Sequence, residues 1–322
     1  MTDVPVGTAV AATPGDGPGR ARLDELIATR VTDNERGVSL WRSAWRRLRT
    51  NPVAILGAVI VGLFVAVAVL APWLAPYEPA QAQWNSEVRV SSVPGPSPEH
   101  RLGLDSFGSD MLTQLIFGAR QSLVIGVVST ALGLAAGAAL GLLAGAFGGW
   151  VDSVVMRCVD VLLSIPSLLL AVSVAAILGK RPEALMVAIA VAQVPIFARL
   201  LRGSLMSQRH ADYVLAGWSL GLRRRTIVMG HMLPNSLGPV IVQATLTLAT
   251  AIIEVAALSY LGLGAPDPQV AEWGRMLVKA LERLDASPQL ALLPGACIAV
   301  TALGFTLLGE ALREALDPKY RR

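Results

Sequence analysis

Few side chains in this sequence could do chemistry, and most of those stand alone. Glu254 is the one clear carboxylate inside the long apolar run 235–262. A charge in the middle of a lipid-facing segment costs on the order of 2.5–3.5 kcal/mol on insertion scales, so the residue needs a role. Either it faces a gate or pathway, or it accepts a hydrogen bond from Ser259, Thr250 or a neighbouring helix; sequence leaves both open. A proton relay would need a second acid at similar depth, and none accompanies it convincingly. His100, His210 and His231 lie on different segments and form no ligand set. Cys158 and Cys297 have neither a CxxC partner nor a nearby histidine, so no metal site is expected and both read as small packing residues. The Gly179-Lys180 pair lacks the upstream glycine of a phosphate loop and continues into Arg-Pro, which rules out that kind of nucleotide site. The expectation is a chain that is not an enzyme, with no catalytic residue and no cofactor of its own.

The elements around these residues explain why. Of 322 residues, 53% are hydrophobic and 16% charged, against about 25% charged in soluble domains. Val53–Leu74 contains no Asp, Glu, Lys or Arg, and about 20 such residues in a helix cross a hydrocarbon core of roughly 30 Å. Five more apolar runs follow at about 121–146, 154–178, 184–204, 235–262 and 289–309, so the fold expected is an all-α membrane protein with six transmembrane helices. Gly133, Gly137, Gly141 and Gly145 repeat every four residues, leaving one stripe of the second helix nearly free of side chains; such stripes let helices approach closely in lipid. Pro166 and Pro195 fall inside the third and fourth runs, where a missing N–H favours kinks that serve either gating or fixed packing.

The net charge of +4 reflects arginines that flank the apolar runs, as membrane orientation requires, rather than a nucleic-acid surface. Residues 1–38 are rich in Gly, Pro, Ala and charge and read as a flexible cytoplasmic tail. Residues 39–52, with Trp41 and Trp45 among Arg42, Arg46, Arg47 and Arg49, read as a basic interfacial helix or a plain basic flank; both place this end in the cytoplasm. The first run is long for a signal peptide and follows about fifty polar residues, so an uncleaved anchor is expected. The six-helix domain spans 53–309. Six crossings bring the C-terminus, 310–322, back to the cytoplasmic side, and put loops 76–118 and 263–288 outside. Lys180, Arg181, Arg275, Lys279 and Arg283 oppose this orientation; the last three alternate with Glu272, Glu282 and Asp285, as on an amphipathic external helix.

The loop at about 205–234 is too polar to cross a bilayer and long for an idle connection. Tyr213, Ala216, Gly217 and Leu220 fall at i, i+3, i+4 and i+7, one face of a short helix. Gly221 permits a sharp turn, a basic helix Leu222–Met232 follows, and Pro234-Asn235 marks the return to the membrane. A small-residue helix of this kind can seat in a groove on a partner, or be an ordinary surface helix.

Here the sequence resembles the permease subunits of ABC importers. Their signature is Glu-Ala-Ala, three residues, Gly, then nine residues to Ile-x-Leu-Pro. The matching positions are Leu215, Ala216, Gly217, Gly221, His231, Met232, Leu233 and Pro234. The spacing is kept, but Leu215 replaces the acid, Gly217 the second Ala and His231 the Ile; Asp212, on the same side, is the candidate replacement for the carboxylate. "HRLGLDSFGSDMLTQLIFGARQSL", "FGGWVDSVVMRCVDVLLSIPSLLL", "ALSYLGLGAPDP", "EWGRML", "LGEALREALDP" and "WRRLRTNPVAILG" are similar to segments of the oligopeptide and dipeptide subfamily, in order, over about 39–320. The resemblance implies a C-type subunit with the type I importer fold in the cytoplasmic membrane. It also implies a second permease, two cytosolic ATPase subunits that use ATP and Mg, and an extracytoplasmic binding protein. Asp212, Tyr213, Leu215, Ala216, Gly217 and Gly221 would form the ATPase-coupling surface; Glu254, Pro166 and Pro195 are the pathway or gate candidates; Trp84, His100, Asp105, Asp110 and Trp273 are available to the binding protein. Di- or oligopeptides lead as cargo, with nickel chelates and sugars as alternatives. A proton-coupled carrier would need more spans, repeats and paired charges, and a membrane enzyme would need converging catalytic groups.

Overall fold

A computed structural model of the chain describes residues 40–79, 84–88, 93–264, 270–281 and 283–316. The tail 1–38, Glu282 and the final residues 317–322 lie outside the described residues. The chain divides into two units at Ser43–Ala44, and the fold is that of the second. Among the described residues the architecture is helical, with a single β-bridge between Leu104 and Asp110.

The basic segment forms α1 (Leu40–Thr50). Asn51 then caps α2 (Pro52–Val69), accepting the Val53 N–H at 2.8 Å and the Ala54 N–H at 3.3 Å, while Pro52 occupies a first-turn position where no N–H is needed. A short turn, α3 (Ala71–Leu74), ends this run. Helix α4 (Met111–Phe147) begins ten residues before the apolar run expected at 121. Asp110 sets that start: its Oδ2 accepts both the N–H and the hydroxyl of Thr113 at 2.8 Å. At 1.5 Å per residue α4 is about 55 Å long, more than one bilayer core requires.

The glycine stripe of α4 forms its seam with α7 (Pro182–Gln208), the most extensive helix pairing in the molecule. A Cβ at Gly141 would stand 2.5 Å from the Ala198 carbonyl oxygen, and one at Gly137 would stand 2.6 Å from that of Val194. Only hydrogen fits there.

The third apolar run is divided. Helices α5 (Gly149–Leu163) and α6 (Ser167–Leu178) meet at 93°, so the expected kink at Pro166 is a break. Proline lacks the N–H that would continue α5 and clashes with the carbonyl four residues back; the Ser164 hydroxyl instead turns onto the Val161 carbonyl at 2.7 Å. Pro195 behaves differently: α7 runs through it unbroken, and Pro195 is buried.

Beyond α7 come α8 (Asp212–Ser219) and α9 (Arg224–Ile227), then a π-helical turn, Val228–Met232, that leads directly into α10 (Leu233–Tyr260). The expected basic helix and fifth span are therefore one continuous helix of 37 residues from Arg224. In the π turn the Leu233 N–H bonds the Val228 carbonyl, a widened geometry just before Pro234, whose missing N–H breaks the ordinary ladder. Helices α11 (Trp273–Leu281) and α12 (Gln289–Leu316) complete the chain. Among the described residues five helices are long and apolar enough to cross a membrane, and six spans result if the bent α5–α6 pair is one of them.

Candidate functional site

Helix α8 stands between α7 and α9 and is closed by local backbone chemistry. Gly221, at φ +74°, donates its N–H to the Trp218 carbonyl at 3.0 Å, and the Leu222 N–H reaches the Gly217 carbonyl at 3.1 Å. This is the Schellman pair, and it needs a residue without Cβ at its left-handed position. Asp212 opens the first turn, where negative charge suits the helix dipole.

The four positions expected to share one face do not stay together. Gly217 is buried with Val214; a Cβ there would lie 3.4 Å from Ile227 and 3.6 Å from Leu222, so it seats α8 against the following helix. Tyr213, Leu215, Ala216 and Leu220 are exposed, Leu220 by 80%. Trp218, not singled out from sequence, is 49% exposed and lies i+3 from Leu215. Together these side chains give α8 an apolar outer side. The i, i+3 relation of Leu215 to Trp218 was the available signal.

Arginines surround the roots of this loop. Arg209 donates to the Gly145 carbonyl at 2.8 Å, and Arg224 donates to the carbonyls of Phe147, at 2.9 Å, and Ala146. Arg202 of α7 forks onto Asp152 of α5 at 2.8 and 2.6 Å, and Arg199 meets Asp160 at 2.5 Å.

Glu254 reaches the break in the third run. Its Oε1 accepts from the hydroxyl of Ser167, the first residue of α6, at 3.1 Å, and its Oε2 is buried without a hydrogen-bond partner. Of the two sequence readings, the bond to a neighbouring helix is present. Thr250 turns instead to the Thr247 carbonyl.

At the opposite end of the bundle, residues 93–110 and α11 form a closed lobe. His100 Nδ1 lies 3.0 Å from Asp110 Oδ1, beside the rings of Trp84 and Tyr77. Asp105 accepts the N–H groups of Phe107 and Ser109 and stands 3.5 Å from Lys279 Nζ. Trp273 is fully buried; its Nε1–H donates to the Leu115 carbonyl at 3.1 Å, its ring meets Phe64 edge-on, and it lies over Gly118. His100, Asp105, Asp110 and Trp273, expected to be available to a partner, are therefore enclosed by their own chain; polar side chains that complete a loop's internal bonding look like surface residues in sequence. The amphipathic helix expected around Arg275 and Lys279 is α11. Beside it, burial pushes the Glu272 carboxyl up to about 7, against the pull of Ser259 and Arg275. Burial pushes the Lys279 ammonium down, opposed by Asp105.

A bundle of apolar helices with a broken span and a structured loop beyond a glycine seam is the architecture of a multi-pass membrane protein. The chain belongs to the family of inner membrane components of binding-protein-dependent transport systems: residues 137–322 match that family, and residues 39–91 match the N-terminal TM domain of oligopeptide transport permease C. It is 42% identical over 289 residues to the dipeptide transport system permease protein DppC of Alkalihalophilus pseudofirmus, covering 90% of this chain and 93% of that one. It is 40% identical to the glutathione transport system permease protein GsiD of Escherichia coli (strain CFT073), over 87% of this chain and 91% of that one. The GsiD of Pectobacterium atrosepticum is 38% identical, over 93% and 98%. Among solved structures the fold matches a chain from inward-facing conformations of the MetNI methionine ABC transporter, with TM-score 0.53 and 19% identity, covering 64% of this chain and 98% of that one. The fold is the ABC-importer permease fold that the motifs implied, and the chain is a permease subunit of the inner membrane.

Proposed function

We propose that this chain is the C-type transmembrane subunit of an ATP-driven importer of di- or oligopeptides. It works by alternating access with a second, different permease chain, two cytosolic ATPase subunits that use ATP and Mg, and an extracytoplasmic binding protein. Both termini are cytoplasmic in this reading, as the arginine-rich flanks favour. Peptide cargo is supported by relatives named for dipeptide and glutathione transport, which weigh against nickel chelates and sugars.

The observation that carries the coupling assignment is α8 itself: a short helix, closed at Gly221 and seated through Gly217, that leaves Leu215, Ala216, Trp218 and Leu220 exposed on its outer side, beside Tyr213, whose hydroxyl donates to Gln208. A near-solvent apolar knob between two membrane helices suits insertion into a groove on a motor subunit. Asp212 supplies the acid at its rim, and Glu254, with the break at Pro166, is assigned to the pathway; Pro195, buried within an unbroken helix, is assigned to packing.

The test is Ala216→Trp in cells whose own copy is deleted. Uptake of a radiolabelled dipeptide and ATP hydrolysis stimulated by the binding protein should both collapse while the subunit still inserts. Coupling equal to the unmodified chain removes α8 from the docking role. Gly217→Trp should act differently, by unseating α8 from Ile227.

A further inference from the structure

Both roots of the α8 loop are fastened to the same helix end. An α-helix leaves its last four carbonyls without intrahelical partners, and those of α4 include Gly145, Ala146 and Phe147. Arg209, one residue past the end of α7, donates to Gly145. Arg224, at the start of α9, donates to Ala146 and Phe147. The two residues are separated by the whole of α8 in sequence yet converge on three consecutive carbonyls. Guanidinium groups suit this position twice over: they satisfy orphan acceptors, and their charge complements the negative end of the helix dipole. Nearby, Gly148 at φ +67° ends α4 with the Arg209 guanidinium against it, where a Cβ would stand 3.0 Å from the arginine nitrogen.

From this convergence we infer that Arg209 and Arg224 are positioning residues that splint the loop to α4, so that α8 and the C-terminal end of α4 move as one body. The splint rests on the reading of α8 as the ATPase-coupling helix and gives that helix its route into the membrane. Without it, α8 would still pack on α9 through Gly217 and Val214 but would have no polar tie to the end of α4. With it, displacement passes to α4, and through the glycine seam to α7. Arg202 and Arg199 then carry it to α5 through Asp152 and Asp160.

Distance measurement between spin labels tests the inference on the complete importer in lipid nanodiscs. Labels go at Leu143, exposed on α4, and Ser219, exposed at the end of α8 and outside its apolar docking face, with Cys158 and Cys297 replaced by alanine. One narrow distance should persist in the nucleotide-free and ATP–vanadate states. With Arg209→Ala and Arg224→Ala together, that distance should broaden and differ between the states, and binding-protein-stimulated ATP hydrolysis should fall about tenfold. The paired lysine variants, which still donate to carbonyls, should restore the narrow distance. If the double-alanine chain does not assemble, Arg224→Ala alone carries the same readout. A distance that changes between states in the unmodified chain, or stays narrow without the arginines, overturns the splint. A separate arm cross-links Leu220→Cys to the ATPase subunits; no cross-link refutes the coupling reading, and the transmission role with it, whatever the distances show.

Discussion

Replacing Glu272 by glutamine should remove a pH dependence that its environment builds in. The carboxyl is enclosed where Gly274 packs on Ala256, with Ser259 and Arg275 around it, and burial raises it from 4.5 to about 7. The folded state thus holds a proton that the unfolded chain releases near 4.5. Between those values the folded state binds more protons, so stability must fall as pH rises, fully present below about 4.5 and lost through about 7. The raised value corresponds to about 3 kcal/mol at 1.36 kcal/mol per unit. Glu272→Gln keeps the shape and removes the ionisation, so it should match the parent at pH 4.5 and exceed it by about 3 kcal/mol at pH 8. For a chain of 322 residues that is roughly 4–5 °C in Tm. Thermal melts of the detergent-solubilised protein, taken every half unit from pH 4.5 to 8, give the comparison. Parallel curves for the two proteins would refute the reasoning.

The glycine seam predicts a sharp contrast. Gly141→Ala should cost about 1–3 kcal/mol, since its Cβ meets backbone at 2.5 Å, whereas Gly62→Ala, with nothing within 4 Å, should be neutral or stabilising in the same melts. Double-mutant cycles should rank the two ion pairs between α5 and α7. The forked, mostly enclosed Asp152–Arg202 pair should show a coupling of about 1.5–3 kcal/mol. The exposed Asp160–Arg199 pair should show below about 1 kcal/mol.

Hydropathy located every apolar run, because crossing lipid requires unbroken stretches of nonpolar side chains. It could not show that Pro166 divides one of them, since Ser164-Ile165-Pro166 is as compatible with a kink as with a right-angle break. The early start of α4 was hidden for a related reason. Thr113 and Gln114 look like loop residues, yet they are buried against chain that the sequence does not place beside them. Asp105, Asp110 and Trp273 show the same effect: their partners lie in loop backbone or on distant helices. At the α8 loop, Gly221 was legible from local turn chemistry alone. The inward face of Gly217 was not, because Ile227 approaches it only through the turn between them.

The right angle at Pro166 has a consequence for the chain as a whole. Neither α5 nor α6 is long enough to traverse a bilayer unaided; counted as one span, the pair puts its junction, with residues 164–168 exposed, within the hydrophobic slab. Peptide groups outside a helix have no tolerable existence against acyl tails. Something other than lipid must therefore cover that corner, either water in a wet passage or the flank of another polypeptide, and a lone copy in a membrane would be an unfinished object.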